Sequence, residues 1–371
     1  MKPIHRRLIN AGACLTVLLA VCTSAGAAPL FRQTNLVSDI PGLAAFTDPN
    51  LRNPWGISSS PTSPFWVSNQ VTGTATLYNT AGQPQGLIVT IPGGNPTGQV
   101  FNTTSSFGLP TGGNARFLFA TLNGTIAAWN GGTTAQIAAS TPGAVYTGLA
   151  LGSSGSGDFL YAANSEQNRI DVFNGSFALT SLSADFTDPT LPSGFSVYNA
   201  QQIGDELVVT YENEASGGGI VNAFDLSGNF LHRLSGNGAG GPLESPWGLA
   251  IAPASFGPLA GALLVGNEGD GHISAFDFTS GAFLGQLLGL DSNPLANTGL
   301  WGLRVGNGGN GGDPSKLYFA AGINGEVDGL FGSISLAEVP EPGTLLLVCI
   351  GVVALVTGSR PVHRSQAANP R

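Results

Sequence analysis

Two stretches of the sequence share one pattern: NPWGISSSPTSPFWVSNQVTGTATLYNTAG at 53–82 and SPWGLAIAPASFGPLAGALLVGNEGDGHISAFDFTSG at 245–281. Each begins with Pro-Trp-Gly and continues through a loop rich in Pro, Ser and Gly to an apolar strand that ends near Asn. A turn and an alternating strand follow. A third copy, GLWGLRVGNGGNGGDPSKLYFAAGINGEVDGLFGSISL, occupies 299–336. Such self-similarity is the signature of a repeat architecture.

Weaker copies at 100–132, 145–177 and 197–230 bring the number of units to six. Alignment on the residue after Trp gives the six equivalent positions Gly56, Asn102, Gly148, Ala200, Gly248 and Gly302. Units of about 40–50 residues that contain several short strands are typical of β-propeller blades. The sequence therefore predicts an all-β, six-bladed β-propeller of the NHL-like type.

The two ends of the repeat array complement each other. The last unit is one strand short, while the strand-like segment LFRQTNLV at 30–37 precedes the first unit. We expect this N-terminal strand to join the last blade and close the ring, which leaves only short, protected sheet edges.

The N-terminus has the features of a cleaved secretory signal. A basic start (Lys2, Arg6, Arg7) is followed by an apolar segment, and Ala25 and Ala27 supply the small residues of a signal peptidase site after Ala27. Cleavage as a lipoprotein at Cys22 is the alternative, but the preceding residue, Val21, lacks the small side chain that such a site prefers.

The C-terminus carries an apolar segment at 343–358, followed by Arg360 and Arg364. A helix of this length spans about 24 Å, less than the roughly 30 Å of a hydrocarbon core, so it predicts a marginal, transient anchor in the inner membrane. The basic residues favour the cytoplasmic side and place the preceding domain outside. A plain single-pass anchor is the alternative.

Pro340, Glu341 and Pro342, followed by the apolar segment and the terminal arginines, resemble the PEP-CTERM sorting tail of Gram-negative bacteria. The resemblance implies that an exosortase cuts near the motif and either releases the protein to the cell surface or medium or re-attaches it. The expected domains are 1–27, a signal peptide; 28–338, the propeller; and 339–371, the sorting tail.

The propeller itself resembles an uncharacterised family of bacterial exported propellers. The resemblance covers 31–336 and rests on segments such as QTNLVSDIPGLAAFTDPNLRNPWGIS (33–58) and LLVGNEGDG (263–271). It implies no activity that can be transferred.

Charge and cysteine content limit the partners and the chemistry. Residues 28–338 contain 7 Lys and Arg against 21 Asp and Glu, a net charge of −14 that disfavours nucleic acid. Solubility is the simplest interpretation, and cationic ligands are the alternative. All three cysteines (Cys14, Cys22, Cys349) lie outside this range, which excludes disulfides and thiol chemistry from the domain.

One face of the propeller is expected to collect aromatic and acidic residues. The loops that lead into the inner strands and the turns between the second and third strands lie together, so the tryptophans should approach five asparagine turns and six carboxylates. The asparagines are Asn69, Asn164, Asn213, Asn267 and Asn324, and the carboxylates are Glu166, Glu212, Glu214, Glu268, Asp270 and Glu326. The predicted ligand face comprises Trp55, Trp247, Trp301, Asn267, Glu268, Asp270 and His272.

Each of these residue types also has a purely structural interpretation. Trp at a recurring inner position packs blades together, and Asn in a turn supplies backbone geometry. The carboxylates are either solvated or gathered around Ca²⁺. His272 is either a general base or a surface residue.

A lactonase-like propeller would hold a metal where the inner strands begin, which points to Asn102, Asn199 and Glu244, although no spaced metal-binding motif accompanies them. The sequence contains no nucleophile elbow and no phosphate-binding loop, so no catalytic residue is assigned. No cofactor is expected apart from Ca²⁺.

The sequence favours an exported, exosortase-sorted module of the cell envelope or extracellular matrix that binds a polysaccharide or matrix component, or serves as a scaffold, without catalysis. The alternative is a Ca²⁺-dependent hydrolase or lyase that acts on lactones or polysaccharides. A deep mouth with three or more converging oxygen ligands would favour the enzyme, and a mouth plugged by aromatic residues would favour the module.

Overall fold

The computed structural model describes residues 28–238 and 240–338. The predicted signal cleavage residues Ala25 and Ala27 and the sorting motif Pro340, Glu341 and Pro342 lie outside these residues. Within the described chain, no helix has both the length and the apolar character needed to span a membrane.

The described chain forms six sheets of mainly antiparallel strands, which are the six blades of the predicted propeller. Blade 1 contains β3 Pro54–Ser58, β4 Phe65–Asn69, β5 Thr74–Tyr78 and β6 Pro84–Thr90. Blade 2 contains β7 Pro96–Phe101, β8 Phe117–Thr121, β9 Thr125–Trp129 and β10 Gln136–Ser140. Blade 3 contains β11 Tyr146–Ser154, β12 Gly157–Asn164, β13 Arg169–Asn174 and β14 Leu179–Thr180.

The remaining blades follow the same order from the inner to the outer strand. Blade 4 contains β15 Ser196–Ile203, β16 Glu206–Asn213, β17 Gly218–Asp225 and β18 Phe230–Gly238. Blade 5 contains β19 Pro246–Ile251, a 3₁₀ segment Ala254–Leu259, β20 Leu263–Asn267, β21 Ile273–Phe276 and β22 Phe283–Gln286. Blade 6 contains β23 Leu300–Val305, β24 Leu317–Ala321, the short helical turn α1 Ile323–Glu326 and β25 Leu330–Leu336.

The ring is closed by the N-terminal strand, as the sequence predicts. Strand β1 (Phe31–Ser38) pairs antiparallel with β25, from Phe31 opposite Leu336 to Ser38 opposite Leu330. Strand β2 (Phe46–Thr47) then pairs parallel with β1. Joining the first strand to the last blade fastens the two ends of the ring without a disulfide.

The Trp-Gly pattern is explained by the narrow centre of the ring. The inner strands β3, β7, β11, β15, β19 and β23 contact one another in that order, and β23 returns to β3. A Cβ atom on Gly302 would lie 2.5 Å from the carbonyl oxygen of Trp55, and one on Gly56 would lie 2.6 Å from that of Thr97. At these two positions, only glycine allows the neighbouring inner strand to approach this closely.

Each inner strand contains a register shift against the second strand of its blade, just before or at this glycine position. The residues at the shift are Trp55, Thr97, Thr147, Tyr198, Trp247 and Trp301. The glycine position is therefore occupied by Gly98 in blade 2 and by Asn199 in blade 4. The alignment that placed Asn102 and Ala200 there was wrong in these two blades, because blade 2 lacks the Trp and the weak match was fitted to the wrong Asn.

Apolar faces between adjacent blades supply the core. Between blades 6 and 1, the rings of Phe65 and Tyr318 lie 4.4 Å apart and both contact Phe331. Comparable buried clusters recur around the ring. Each blade thus buries its faces against its neighbours, as expected for a propeller.

Candidate functional site

Four aromatic side chains close the central channel at the end where the inner strands begin. Trp55, Tyr198, Trp247 and Trp301 form one buried cluster, and each side chain is at most 8% exposed. Trp55 and Trp301 stack with ring centroids 3.5 Å apart, and Trp247 meets both edge-on at about 6 Å. All four occupy the register-shift position of their blades, so one backbone feature repeated around the ring places them. We call these four residues the aromatic floor.

Hydrogen bonds fix the floor to the inner strands. Trp247 Nε1 donates to the carbonyl oxygen of Thr147 at 3.0 Å, and Asn199 Nδ2 donates to the carbonyl oxygen of Trp247 at 2.7 Å. The Nε1 of Trp55 is buried and has no acceptor within the described residues. A buried donor without a partner is costly, so this N–H is available to an acceptor that reaches the floor.

Three glutamates lie at the same end of the channel as the aromatic floor. Glu212 lies near the end of β16, Glu268 directly follows β20, and Glu326 ends α1. All three contribute to raising the pKa of the buried Tyr198 well above its usual value, although burial is the largest cause. In the described chain, none of the three forms an ion pair with Lys, Arg or His. We call these glutamates with the four aromatic residues the carboxylate mouth.

Two of these glutamates, Glu212 and Glu268, have raised pKa values. Burial, followed by the charge of Glu268, raises the pKa of Glu212 to about 7. Burial, followed by the charges of Glu326 and Glu244, raises the pKa of Glu268 to about 7. Like charges gathered without a cation disfavour ionisation, and such shifts are common at functional sites.

The backbone around Glu326 is held in an uncommon conformation. Asn53 (φ 42°) and Glu326 (φ 66°) both lie in the left-handed region. Asn53 Oδ1 accepts a hydrogen bond from Trp301 Nε1 at 2.9 Å, and Asn53 Nδ2 donates to Glu326 Oε2 at 3.0 Å. Asn53 thereby links the floor to the rim and fixes the position of one carboxylate.

The other residues of the predicted ligand face, Asn267, Asp270 and His272, lie outside the carboxylate mouth. Asn267 is fully buried and donates to the carbonyl oxygen of Pro242, so it holds a loop. The His272 ring lies 3.0 Å from Asp270 and 3.5 Å from Gln286 on the outermost strand of blade 5. His272 and Asp270 thus form a local pair at the side of the blade.

The remaining turn residues serve the backbone or face solvent. Asn69 and Asn164 are buried and donate to side chains of their own blades, Asn213 accepts from the backbone of its own turn, and Asn324 donates to Asp328. Glu166 and Glu214 are exposed. Of the six carboxylates expected to gather, Glu212, Glu268 and Glu326 belong to the carboxylate mouth. The exposed Glu214 also raises the pKa of Glu212 and Tyr198 through its charge.

The structure does not bring together Asn102, Asn199 and Glu244, the candidate metal ligands. Asn102 follows the end of β7, at the opposite end of the channel from Glu244, and donates to the carbonyl oxygens of Ser106 and Ala115. Asn199 is buried inside the channel, and Glu244 is exposed before β19. In the described chain, no three His, Cys, Asp or Glu residues are grouped to hold a metal ion.

The opposite end of the channel opens into a pocket of about 300 Å³. It is lined by Ile57, Ser59, Gln99, Val100, Phe101, Thr103, Leu149, Ala150, Leu151, Gln201, Gln202, Leu303 and Arg304. A small void of about 40 Å³ continues from it toward Trp247. We call this pocket the arginine mouth, because Arg304 is the only charged residue among its lining residues.

Sequence reasoning missed Tyr198, Arg304 and Gln99. A correct alignment of Val-Tyr-Asn at 197–199 with Pro-Trp-Gly would have identified Tyr198 as the fourth aromatic residue. Arg304 is the third residue after the Trp of its unit, at a position where the other strong copies carry Ser58 and Ala250. This departure from the repeat marks Arg304 in the sequence as a position that differs between blades.

Comparisons with known proteins agree with the fold and with the C-terminal tail. A family model described as a PEP-CTERM protein-sorting motif matches residues 338–360. This motif indicates export and processing by an exosortase.

Two relatives from Acanthamoeba polyphaga mimivirus match most of the chain. Uncharacterized protein R648 is 30% identical over 329 residues, which cover 82% of this chain and 80% of the relative. Uncharacterized protein L690 is 31% identical over 337 residues, which cover 82% and 85%.

Solved structures with this fold include several enzymes. Virginiamycin B lyase from Staphylococcus aureus superimposes with a TM-score of 0.50 at 14% identity, covering 83% of this chain and 99% of that one. A glucose dehydrogenase superimposes with a TM-score of 0.51 at 12% identity, covering 82% and 100%. At such low identity, these likenesses show the fold alone.

Proposed function

We propose that this chain, which belongs to the family of the mimivirus proteins R648 and L690, is an exported module that binds a polysaccharide without catalysis. Its PEP-CTERM motif directs it to exosortase processing and thus to the cell envelope or matrix. The binding surface in this proposal is the carboxylate mouth.

The observation that carries the proposal is that Glu212, Glu268 and Glu326 lie at the aromatic end of the channel and all act on Tyr198 through their charge. Among the described residues, no cationic side chain pairs with them. Carboxylates that repel one another gain most from a ligand that brings positive charge. The floor itself is too buried to stack broadly on a sugar ring, so the tryptophans support the packing interpretation and the glutamates make the contacts.

A ligand that combines positive charge with hydroxyl groups is a polysaccharide that carries free amino groups. The glutamates accept hydrogen bonds from ammonium and hydroxyl groups, and hydrogen bonds to charged groups are the stronger class. An oxygen of the same ligand that reached the floor would satisfy the unpartnered Nε1 of Trp55.

Isothermal titration calorimetry with a glucosamine oligomer tests this proposal at a slightly acidic pH, where the amines are protonated. The N-acetylated oligomer of equal length, which lacks the positive charge, is the matched control ligand. Because Glu212 and Glu268 have pKa values of about 7, a bound cation should drive protons from them. The measured heat should therefore depend on the ionisation enthalpy of the buffer.

The matched variants are Glu268→Gln in the mouth and Glu166→Gln, which is exposed in blade 3. Glu268→Gln should weaken binding about tenfold and reduce proton release, whereas Glu166→Gln should leave both unchanged. Equal affinity for the two oligomers, or binding without proton release, would contradict the proposal.

A second candidate, a hydrolase or lyase, is favoured by one observation: two carboxyls with pKa values of about 7 suit general acid–base catalysis. Incubation of the bound polysaccharide with the protein, followed by size analysis of the chains, separates the two candidates. Shortened chains that disappear with Glu212→Gln would favour the enzyme, and intact chains would favour the binding module.

A further inference from the structure

Arg304 differs from the arginines of the described chain that form ion pairs. Arg169 and Arg233 lie 2.6 Å from Asp171 and Asp188, and Arg52 lies 3.7 Å from Asp39. Arg304 has no carboxylate within ion-pair distance there, although acidic residues outnumber basic ones threefold. Burial lowers the pKa of its guanidinium.

The guanidinium is anchored on one side only. Nε donates to Ser59 Oγ at 3.1 Å, and Nη2 donates to the carbonyl oxygen of Ser59 at 3.2 Å. Nη1 makes no hydrogen bond to a described residue. Since the planar fork of Arg matches a carboxylate with two parallel bonds, one edge of Arg304 is available for such a ligand.

A second polar group in the same pocket lacks a partner. Gln99 is 6% exposed, and its Nε2 donates to the carbonyl oxygens of Gly56 and Trp66 at 2.7 and 2.6 Å. These two bonds fix the amide orientation and leave Oε1 buried without a donor within the described chain. Gln99 lines both the channel void and the arginine mouth, so Oε1 can accept from a hydroxyl group that enters from this end.

We propose that the arginine mouth is a second binding site, distinct from the carboxylate mouth, and that it takes a small hydroxylated carboxylate such as a hexuronic acid. Arg304 binds the carboxylate, the Gln99 oxygen accepts from a hydroxyl group, and Gln201 and Gln202 at the pocket wall supply further polar contacts. Apolar side chains such as Leu149 and Leu303 cover the remaining faces of the ligand.

Titration of the purified protein with galacturonate tests the proposal, with galactose as the uncharged ligand of matched shape. Galacturonate should bind and raise the melting temperature, since a ligand that binds only the folded state stabilises it. Galactose should bind at least about tenfold more weakly, because it lacks the charged group that pairs with Arg304. Equal binding of the two sugars, or binding of neither, would overturn the proposal.

Two pairs of variants locate the site. Arg304→Met should abolish the preference for galacturonate, whereas Arg304→Lys should retain part of it through charge without the fork. Thr103, exposed at the edge of the pocket, can be changed without touching the core. Thr103→Glu should weaken galacturonate binding by repulsion, and Thr103→Gln should not. Galacturonate binding that is insensitive to both Arg304→Met and Thr103→Glu would place the site elsewhere.

The arginine mouth and the carboxylate mouth can be tested independently of each other. Glu268→Gln should leave galacturonate binding intact, and Thr103→Glu should leave binding of the glucosamine oligomer intact. Binding of inorganic phosphate in place of galacturonate would show a general anion site and would refute selection of a hydroxylated carboxylate.

Discussion

The two mouths of the propeller are built by the same six inner strands, yet they differ in charge, closure and protonation. Where the strands begin, register shifts present one side chain per blade, and four of these are aromatic residues that close the channel. Where the strands end, the pairing is regular and the channel opens into a pocket with one arginine. The repeat thus fixes the backbone, and departures from the repeat create the chemistry.

The carboxylate mouth is also uneven around the ring. Its aromatic residues come from blades 1, 4, 5 and 6, while blades 2 and 3 place Thr97 and Thr147 at the same position. The glutamates come from blades 4, 5 and 6. A ligand is therefore expected to contact this half of the ring and to leave blades 2 and 3 uncovered.

The largest expected effect comes from removing the centre of the aromatic floor. Trp301 is 1% exposed, stacks on Trp55 and orients Asn53. Trp301→Ala should lower the free energy of unfolding by about 3–5 kcal/mol through lost burial and a cavity. It should also release Glu326 and abolish binding at the carboxylate mouth. Denaturant unfolding and calorimetry measure the two effects.

Trp129→Ala is the matched control, because Trp129 is also buried but lies in the outer part of blade 2. A similar loss of stability is expected, with binding retained. Loss of binding in both variants would mean that the floor acts only through global stability.

The second largest effect is a pH dependence that only the carboxylate mouth should show. The pKa values of Glu212 and Glu268 are about 7 in the folded protein, against an ordinary value of 4.5. Between these values the folded state binds more protons than the unfolded state, so the free energy of unfolding falls as pH rises from about 4.5 to 7. Above about pH 7 this contribution is constant.

The double variant Glu212→Gln, Glu268→Gln should flatten that decline. At pH 8 it should be more stable than the parent by about 1–2 kcal/mol, a figure reduced for partial exposure of both groups. Urea unfolding across this pH range provides the measurement, and Glu166→Gln should follow the parent curve. A double variant that is less stable at pH 8 would show that the charged forms make favourable contacts.

Sequence reasoning recovered the fold because its signals repeat. Pro-Trp-Gly marks the inner strands of blades 1 and 5, and the orphan strand at 30–37 predicted closure of the ring. The site was recovered only in part. Asp270 and His272 lie next to Glu268 in sequence but pair with each other, since a tight turn points adjacent side chains in different directions.

The alignment errors arise where the Trp-Gly signal is missing. In blade 4, Asn199 occupies the glycine position directly after Tyr198, so the alignment slipped by one residue to Ala200. Arg304 departs from the repeat, but neither its role nor that of Gln99 could be predicted, because sequence contains no record of which donors and acceptors are left unpaired.

A smaller effect on the free energy of unfolding is expected when Arg304 in the arginine mouth is replaced. Arg304→Met removes a desolvated charge that has no carboxylate partner among the described residues, so the free energy of unfolding should change by no more than about 1 kcal/mol, in either direction. The control Arg233→Met leaves the fully buried carboxylate of Asp188 unpaired. It should cost about 3–5 kcal/mol. Equal losses in both variants would mean that Arg304 is structural and that the arginine mouth has no reason to recruit an anion.

The smallest expected effect is that of Ca²⁺. A metal that binds only the folded state raises its melting temperature by mass action, as it would do if Asn102, Asn199 and Glu244 formed a site. Asn102 and Glu244 lie at opposite ends of the channel, and Asn199 Nδ2 already bonds to Trp247. The described chain also has no group of three acidic residues placed to hold a metal, the carboxylate mouth included. Millimolar Ca²⁺ and EDTA should therefore give the same melting temperature within about 1 °C. A shift of several degrees that Glu268→Gln removes would relocate the metal to the carboxylate mouth and favour the enzyme over the binding module.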